Sequence, residues 1–396
     1  MDYKICDKKE LCTGCMACKE VCPQNCIRVE VEEDGFSYPL IDKIKCSNCG
    51  LCKKTCPVNN SPNKNNTIKG YVARYKNEAI LEDSTSGGSF TAFADYVFSV
   101  DGFLVGVVYD EDMNVIHQGI LKEKQEDVSK MRGSKYVQSD LKDVFYIIKE
   151  KLHNNKLVCF SGTPCQVAGL KSYLGKDYDN LMTIDLVCHG VGSPLLFRKY
   201  IEYMENRYNS KVIDVKFRNK TYGYHSGTMR VDFENGKQYF GSGRIDYMSK
   251  AFFKEASSRQ SCYECPFRGK ERYGDFTVFD SWHIEQLIPD KKDDDKGYTN
   301  LYVNTEKGLN FLQNLKGKLE LWEADIDNMR ELDGVMIEND PVKFNNRDEL
   351  LSELNGNDFA KTMQKYLPVS KKDKLLELSK RFLYKTGVLS ILKKVK

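Results

Sequence analysis

After residue 69, short apolar runs alternate with stretches in which apolar residues recur at helical spacing. This pattern predicts strands at 70–75, 103–109, 157–160 and 182–187, and helices at 89–100, 141–152 and 166–174. Strands joined by helices form right-handed crossovers, so we expect a sheet that is at least partly parallel. Later segments predict strands of a more antiparallel section at 212–218, 228–233 and 276–279.

The same pattern divides the 396 residues into four parts. Residues 1–58 are rich in cysteine, and the polar, proline-containing segment 59–68 is typical of a linker. Residues 69–345 carry the alternating strands and helices, whereas residues 346–396 are helical, polar and finally basic. We therefore predict a protein of mixed α+β or α/β class, with a small cysteine-rich domain, a mixed-sheet domain and a helical C-terminal tail.

Two cysteine runs of identical spacing lie within the first 57 residues. Each reads C-x2-C-x2-C-x3-C-P, which resembles the bacterial two-cluster ferredoxins. In that pattern three thiolates bind one 4Fe-4S cluster and the fourth binds the other cluster. Zinc is the alternative, although it usually takes separated C-x-x-C pairs. The predicted ligand sets are Cys12, Cys15, Cys18 and Cys56 for one cluster, and Cys46, Cys49, Cys52 and Cys22 for the other.

Further cysteines predict a second kind of metal site. Cys165 follows the strand at 157–160 and Cys188 ends the strand at 182–187, so both lie where parallel sheets place their sites. Cys262 and Cys265 form a C-x-x-C pair. Four thiolates favour a third 4Fe-4S cluster in a chain that already carries two, with zinc or unrelated buried cysteines as alternatives. Cys159 lies within a strand and is expected to be an inert core thiol, and packing is the expected role of Cys6 and Cys26.

Two loops have the composition of a phosphate and flavin site. Consecutive glycines before a helix can present backbone amides to an anion, which the helix N-terminus also favours, although an ordinary turn is the alternative. The second loop supplies cations and an aromatic ring. A GxGxxG fingerprint and a Walker loop are absent, so a dinucleotide would be bound in another way. The predicted cofactor-binding residues are Ser86, Gly87, Gly88, Ser89, Arg132, Ser134, Lys135 and Tyr136.

Six segments, taken in order, form a further signal: Ser86-Gly-Gly-Ser89, Gly133-Ser-Lys-Tyr-Val-Gln138, Gly162-Thr-Pro-Cys-Gln166, Cys188-His-Gly190, Cys262-x-x-Cys265 and Gly274-Asp-Phe-Thr-Val-Phe-Asp-Ser-Trp282. Together they resemble the β-subunit family of coenzyme F420-reducing hydrogenase and dehydrogenase. The resemblance spans about residues 1–315 and implies FAD near the two loops and a cluster on Cys165, Cys188, Cys262 and Cys265. It also implies an oxidoreductase that acts on a deazaflavin or a related electron carrier.

The sequence thus predicts a cytoplasmic iron–sulfur flavoprotein oxidoreductase that passes electrons between its clusters and FAD. Its partner would be an electron donor or acceptor protein, or a coenzyme, of ferredoxin or deazaflavin type. The alternative is a non-catalytic relay subunit that carries clusters only. His189, Asp280 and His283 are candidates for proton donation or ligand orientation, with structural roles as the alternative.

Charge and hydropathy add one feature. The chain opens without a secretory pattern and contains no apolar run of membrane-spanning length, so a cytoplasmic protein is expected. The net charge is +3, but residues 371–396 alone carry +7, in a basic amphipathic helix that Gly387 interrupts. This helix packs on its own domain in one interpretation. In a second interpretation it holds the protein at the inner, anionic membrane surface. In a third it binds nucleic acid, although no recognition motif accompanies the charge.

Overall fold

A computed structural model describes residues 5–388. The strands are β1 Ile27–Val31, β2 Ser37–Ile41, β3 Lys69–Tyr75, β4 Phe103–Tyr109, β5 Val115–Ile120, β6 Val158–Gly162, β7 Leu181–Leu186, β8 Val212–Asn219, β9 Thr228–Phe233, β10 Gln238–Ser242, β11 Phe276–Ser281, β12 Tyr298–Val303 and β13 Leu319–Ala324. The helices are α1 Ala17–Glu20, α2 Leu51–Thr55, α3 Glu78–Asp83, α4 Ser89–Ser99, α5 Val128–Met131, α6 Val144–His153, α7 Pro164–Leu174, α8 Pro194–Tyr208, α9 Tyr247–Phe253, α10 Ile284–Leu287, α11 Glu306–Leu315, α12 Ile326–Asp333, α13 Arg347–Leu354, α14 Phe359–Tyr366 and α15 Lys371–Lys385.

A mixed sheet of eight strands forms the centre of the described chain, in the order β13-β3-β12-β11-β7-β6-β4-β5. The pairs β11–β7, β7–β6 and β6–β4 are parallel, and the flanking pairs are antiparallel. Helices α4 and α11 cover one face, and α6 and α7 cover the other. Parallel strands buried on both faces read as continuous apolar runs, which is why β4 and β6 were recognisable in the sequence.

A smaller antiparallel sheet, β10-β9-β8, packs with α8, α9, α13 and α14 around its own apolar core. The predicted strands at 212–218 and 228–233 are therefore confirmed in an antiparallel section. The segment 276–279 is different, because β11 joins the large sheet, parallel to β7 and antiparallel to β12. Its side chains alternate in burial like those of β9, so periodicity could not decide which sheet it joins.

The cysteine-rich segment folds as a small unit around the β1–β2 hairpin, α1 and α2, with Phe36 and Ile5 in its apolar core. Its two cysteine loops share a backbone geometry. Gly14 and Met16 in the first loop, and Asn48 and Gly50 in the second, all have positive φ at equivalent positions of the repeat. Such turns direct successive backbone N–H groups to one side, as sulfur ligands of a cluster require.

This unit lies directly against the rest of the chain. A Cβ atom at Gly169 of α7 would lie 3.0 Å from Cys15 Sγ, so only glycine allows the helix to approach that cysteine loop. On the other side, Arg347 of α13 is buried and donates to Asp34 Oδ2 at 2.9 Å, in the hairpin turn. Within residues 5–388, no helix has the length and apolarity needed to cross a membrane.

Candidate iron–sulfur and flavin centre

The first predicted ligand set is brought together at one pocket. Cys12, Cys15, Cys18 and Cys56 line it, with Pro39 and Pro57 among the other residues. Cys56 reaches this pocket from the second cysteine run, as the crossed arrangement predicts, because Pro57 cannot continue α2. The donors are sulfur atoms in largely apolar surroundings, which suits an iron–sulfur cluster.

The second set, Cys22, Cys46, Cys49 and Cys52, is also close together. Burial raises the pKa of the Cys52 thiol, and the other three thiols of the set raise it as well, which shows that all four interact electrostatically. This set lies nearer the surface. Cys49 is exposed, and the loop around it carries exposed Lys45 and Ile44. A cluster bound here would be the more accessible one of the ferredoxin-like unit.

Cys6 and Cys26, which lie outside the predicted sets, are each beside one set. Cys6 lines the first pocket and contacts Cys56, and Cys26 Sγ lies 3.4 Å from Cys22 Sγ. Both are buried in the apolar core of the unit. Their packing role stays a prediction, but their position against the ligand sets was not foreseen.

Cys165, Cys188, Cys262 and Cys265 line one further pocket. Cys165 lies in the first turn of α7, where a capping box formed by Thr163 and Gln166 fixes the start of the helix. Cys188 follows β7, and the Cys262 pair follows α9 in the chain. Cys159, in contrast, is fully buried within β6 and is not among the pocket residues.

The charge balance of this pocket fits an all-sulfur metal centre. Burial, together with the neighbouring thiols, raises the pKa of the Cys188 and Cys262 thiols to about 12. Gathering such thiolates therefore requires a compensating cation, which a bound metal centre supplies. Arg259, Arg268 and Arg272 also line the pocket, and among its described residues there is no carboxylate or imidazole. The donor set thus suits a 4Fe-4S cluster, or zinc.

The two cysteine pockets share a wall. Thr13 lines both, next to Cys12. Arg259 lies between them. It is 1% exposed, it lines the Cys165 pocket, and its Nε donates to the Cys12 carbonyl at 2.7 Å. Its other nitrogens donate to Gln138 Oε1 at 2.8 Å and to the Ser37 carbonyl at 3.0 Å.

The two loops predicted to bind flavin are in contact with each other. Ser134 N–H donates to Thr85 Oγ1 at 2.9 Å, and Arg132 donates to Asp83 at 2.9 Å and to Thr91 at 3.1 Å. Residue Gln138, beyond the second loop, lines the Cys165 pocket, and its N–H donates to the Gly192 carbonyl. The second loop therefore leads, two residues further along the chain, to the cysteine pocket.

Part of the glycine loop already has hydrogen-bond and packing partners within the protein. Gly87 N–H donates to Thr299 Oγ1 at 2.9 Å, and a Cβ at Gly87 would lie 2.4 Å from the Ala73 carbonyl. This glycine is thus required for packing against β3 and β12, and its amide is not available to a phosphate in this arrangement. Gly88 has φ +77° and immediately precedes α4, so the amino end of that helix remains the part that favours an anion.

Three cations on β8 or just beyond it, which were not assigned from the sequence, lie near this loop or beside Asp280. Lys220 Nζ donates to the carbonyls of Leu81 at 2.8 Å and Ser86 at 2.7 Å, and burial lowers its pKa to about 7. Lys216 pairs with Asp83, and Arg218 pairs with Asp280. Lys216 and Arg218 stand at alternate positions of β8, which is a recognisable signal because residues i and i+2 of a strand point to one side. Lys220 lies just beyond the strand.

Lys135 and Tyr136 also have protein partners. Lys135 Nζ donates to the Lys130 carbonyl at 3.0 Å at the end of α5, and burial lowers its pKa to about 8. The ring of Tyr136 stacks on Phe252 with centroids 4.0 Å apart, and Phe252 in turn lies 5.0 Å from the His189 ring. These rings link the loop to the segment that follows Cys188.

The three candidate catalytic residues lie in different networks. His189 pairs with Glu255, and His283 Nδ1 lies 2.7 Å from Asp333 Oδ1. Asp280 accepts hydrogen bonds from Arg218 and from Tyr224, whose ring stacks on Trp282 at 4.3 Å. Asp280 is linked to the second predicted cofactor loop through Arg218 of β8, which interacts with Tyr136.

The arginines of the Cys165 pocket were also missed, although a signal exists. Arg259 and Arg268 stand three residues before Cys262 and three after Cys265, giving R-x2-C-x2-C-x2-R. Arg272 was harder to recognise, since its position depends on Asp185 of β7, to which it donates at 2.9 Å in a fully buried pair.

The comparisons with known proteins define first the class of the chain. Residues 11–60 match the 4Fe-4S dicluster domain, so the N-terminal part is an iron–sulfur electron-transfer domain. Residues 155–328 match the family described as the C-terminal part of the beta subunit of coenzyme F420 hydrogenase/dehydrogenase. The resemblance seen in the sequence is therefore confirmed, and the chain is related to this oxidoreductase family.

Two further comparisons complete these findings. A chain of the F420-reducing NiFe hydrogenase complex from Methanosarcina barkeri, solved as a xenon derivative, is similar at 17% identity with a TM-score of 0.45. The similarity covers 70% of this chain and 91% of that one. No curated protein matches the sequence.

Proposed function

We propose that the protein is an iron–sulfur flavoprotein oxidoreductase with three 4Fe-4S clusters and FAD. The observation that carries the proposal is the shared wall between the Cys12 and Cys165 pockets, formed by Thr13 and bridged by Arg259. Two all-cysteine sites in contact are suited to electron transfer from one to the other. Independent structural metal sites would have no need of such contact.

FAD would be held where the loop 84–89 meets the loop 132–136. When bound, the clusters would supply one-electron transfer and the flavin two-electron chemistry. The amino end of α4, Arg132, Lys135 and Lys220 provide positive potential for a diphosphate. Arg218 holds Asp280 in an ion pair, and the stacked rings of Tyr136 and Phe252 would help to exclude water beside the second loop.

Electrons would enter or leave through the second ferredoxin-like set. Cys49 is exposed, and Lys45, Lys54, Ile44 and Leu51 are exposed around it. Cations around a few apolar side chains suit an acidic electron-carrier protein, such as one of ferredoxin type. A deazaflavin-like coenzyme at the other end of the chain of cofactors rests on the family relationship alone.

The second candidate function is a relay subunit that carries clusters without FAD. One observation favours it: Gly87 N–H, Lys135 and Tyr136 already have partners within the protein. A loop whose polar groups are paired internally has less to offer a cofactor.

Iron and flavin analysis of anaerobically purified protein decides between the two. We expect about twelve iron atoms per chain from the twelve cysteine ligands, and about one flavin in the supernatant after acid precipitation. Cys262→Ser should lower iron to about eight, because three thiolates hold the third cluster poorly. Lys220→Met should lower flavin and leave iron unchanged.

Matched controls separate these effects from general damage. Cys159→Ala removes a buried thiol outside the pocket, and Lys211→Met removes an exposed lysine, so neither should change iron or flavin. Twelve iron atoms without flavin would favour the relay function. About eight in both the wild type and Cys262→Ser would contradict the third cluster.

A further inference from the structure

Helix α15 is docked on the body through its polar side. Glu377 is buried and accepts a hydrogen bond from Ser242 Oγ at 2.6 Å, and Arg381 donates to the Phe240 carbonyl. One turn later, Tyr384 packs edge-on against Tyr222, with ring centroids 4.8 Å apart. These contacts place the helix along β10 of the small sheet.

The opposite side of the helix is apolar and exposed. Leu375, Leu378 and Phe382 recur at helical spacing and are 65%, 61% and 67% exposed. A helix that only covers its own domain buries such a face and leaves its charges in water. Here the arrangement is reversed, because the polar side makes the buried contacts and these three apolar side chains face solvent. Leu389 and Leu392, which continue the leucine pattern in the sequence, lie outside the described residues.

The residues that flank this apolar face are basic. Lys371, Lys372 and Lys374 are exposed in the first turn, and Lys385 is exposed in the last. Residues 371–396 carry +7, while the remaining 370 residues together carry −4. Positive charge is therefore concentrated on the segment that presents exposed leucines.

We propose that α15 holds the protein at an anionic lipid surface, with Leu375, Leu378 and Phe382 inserted at the headgroup boundary. An exposed apolar strip with lysines beside it is the pattern of helices that lie in the plane of a membrane interface. The docking contacts through Glu377 and Arg381 fix the orientation of this face before binding. The cysteine and flavin sites would then be carried at the membrane surface.

Sedimentation of the full-length, cluster-loaded protein with vesicles tests the proposal. Vesicles of phosphatidylcholine with about 30% phosphatidylglycerol should bring down the protein at low salt, and less of it at high salt. Phosphatidylcholine alone should bring down little. The triple variant Leu375→Ser, Leu378→Ser, Phe382→Ser should bind at least about tenfold more weakly, because it loses most of the insertable area.

Two further variants sharpen the result. Lys371→Gln, Lys372→Gln, Lys374→Gln should weaken binding to anionic vesicles and reduce its salt dependence. The control Ile213→Ser, Val335→Ser, Val342→Ser removes equally exposed apolar side chains elsewhere and should bind as the wild type does. Iron content should be the same in all forms, which shows that each is folded.

Several outcomes would overturn the proposal. Equal binding to neutral and anionic vesicles would remove the role of the lysines, and unchanged binding of the triple serine variant would remove that of the apolar face. If the wild type binds no vesicles but self-associates in light scattering, and the serine variant is monomeric, the face is an interface between copies of this chain.

Discussion

At the residue scale, the arrangement depends on a few buried charged groups whose positions follow from their partners. Arg259 is the clearest case, because its guanidinium satisfies backbone carbonyls of the ferredoxin-like unit and lines the Cys165 pocket. The planar fork of arginine can make these bonds together, whereas a lysine ammonium cannot reach all of them. Arg347 makes a similar buried connection without lining either cysteine pocket.

Removing the Arg259 charge should change the redox potentials of the clusters beside it. Reduction adds negative charge to a cluster, and a nearby cation stabilises the reduced form. We therefore expect Arg259→Met to shift a midpoint potential to a more negative value, and Arg259→Lys to shift it less, in a redox titration followed by electron paramagnetic resonance. Arg347→Met serves as the matched control. An equal shift in both methionine variants would show that Arg259 has no special role.

At the element scale, strands and helices formed largely where hydrophobic periodicity predicted them. The helix predicted at 166–174 begins two residues earlier, at Pro164, because proline suits the first turn and Thr163 caps it. Strands β5, β12 and β13 were not predicted. The sequence of β5 includes the polar residues His117 and Gln118, so it does not read as an apolar run. His117 is nevertheless buried, and its ring stacks on Phe160 of β6 with centroids 5.3 Å apart.

His117 should make the sheet sensitive to acid. Burial lowers its pKa to about 4, below the unfolded value of 6.5. Between these values the folded protein binds fewer protons, so stability falls as pH drops through this window, by about 2 kcal/mol at pH 5. His117→Phe removes this penalty but loses the hydrogen bond from Nε2 to the Ser161 carbonyl. Its thermal midpoint should lie below that of the wild type at pH 7 and above it at pH 5.

The prediction concerns the difference in thermal midpoint between the wild type and His117→Phe, since acid also affects the clusters of both proteins. His153→Phe is the control, because His153 is exposed. A midpoint difference that does not change between pH 7 and pH 5 would contradict the role assigned to His117.

At the scale of the whole molecule, the cysteine groups differ in depth. Cys49 of the second ferredoxin-like set is exposed, the first set is buried, and the Cys165 pocket adjoins the first set through Thr13. Ile44, which is 97% exposed, lies beside the second set. Under the proposed function, a carrier protein would therefore dock at the exposed set.

Charge reversal at the exposed set should slow electron entry from an acidic carrier. We expect Lys45→Glu, Lys54→Glu to lower the rate at which a reduced acidic ferredoxin reduces the clusters by about tenfold at low salt, with the difference shrinking as salt rises. Stopped-flow bleaching of cluster absorbance measures the rate. Lys211→Glu, Lys237→Glu, far along the chain and exposed, should have little effect. Equal slowing with a small viologen reductant would mean that the clusters, not docking, had changed.

The sequence by itself determined the local parts of this protein. The repeated cysteine spacing predicted the dicluster domain, and the apolar runs predicted the parallel strands, because both signals are complete within a few residues. The grouping of Cys165 with Cys188 also followed from local order, since consecutive parallel strands end at the same sheet edge.

Tertiary structure decided what depends on residues far apart in the chain. The position of Arg259 beside Cys12, the pairing of Lys216 with Asp83 and the placement of β11 in the large sheet all join segments more than 80 residues apart. The orientation of α15 is of the same kind. Periodicity shows that a helix has an apolar face, but only the partners of Glu377 and Arg381 determine that this face points to solvent.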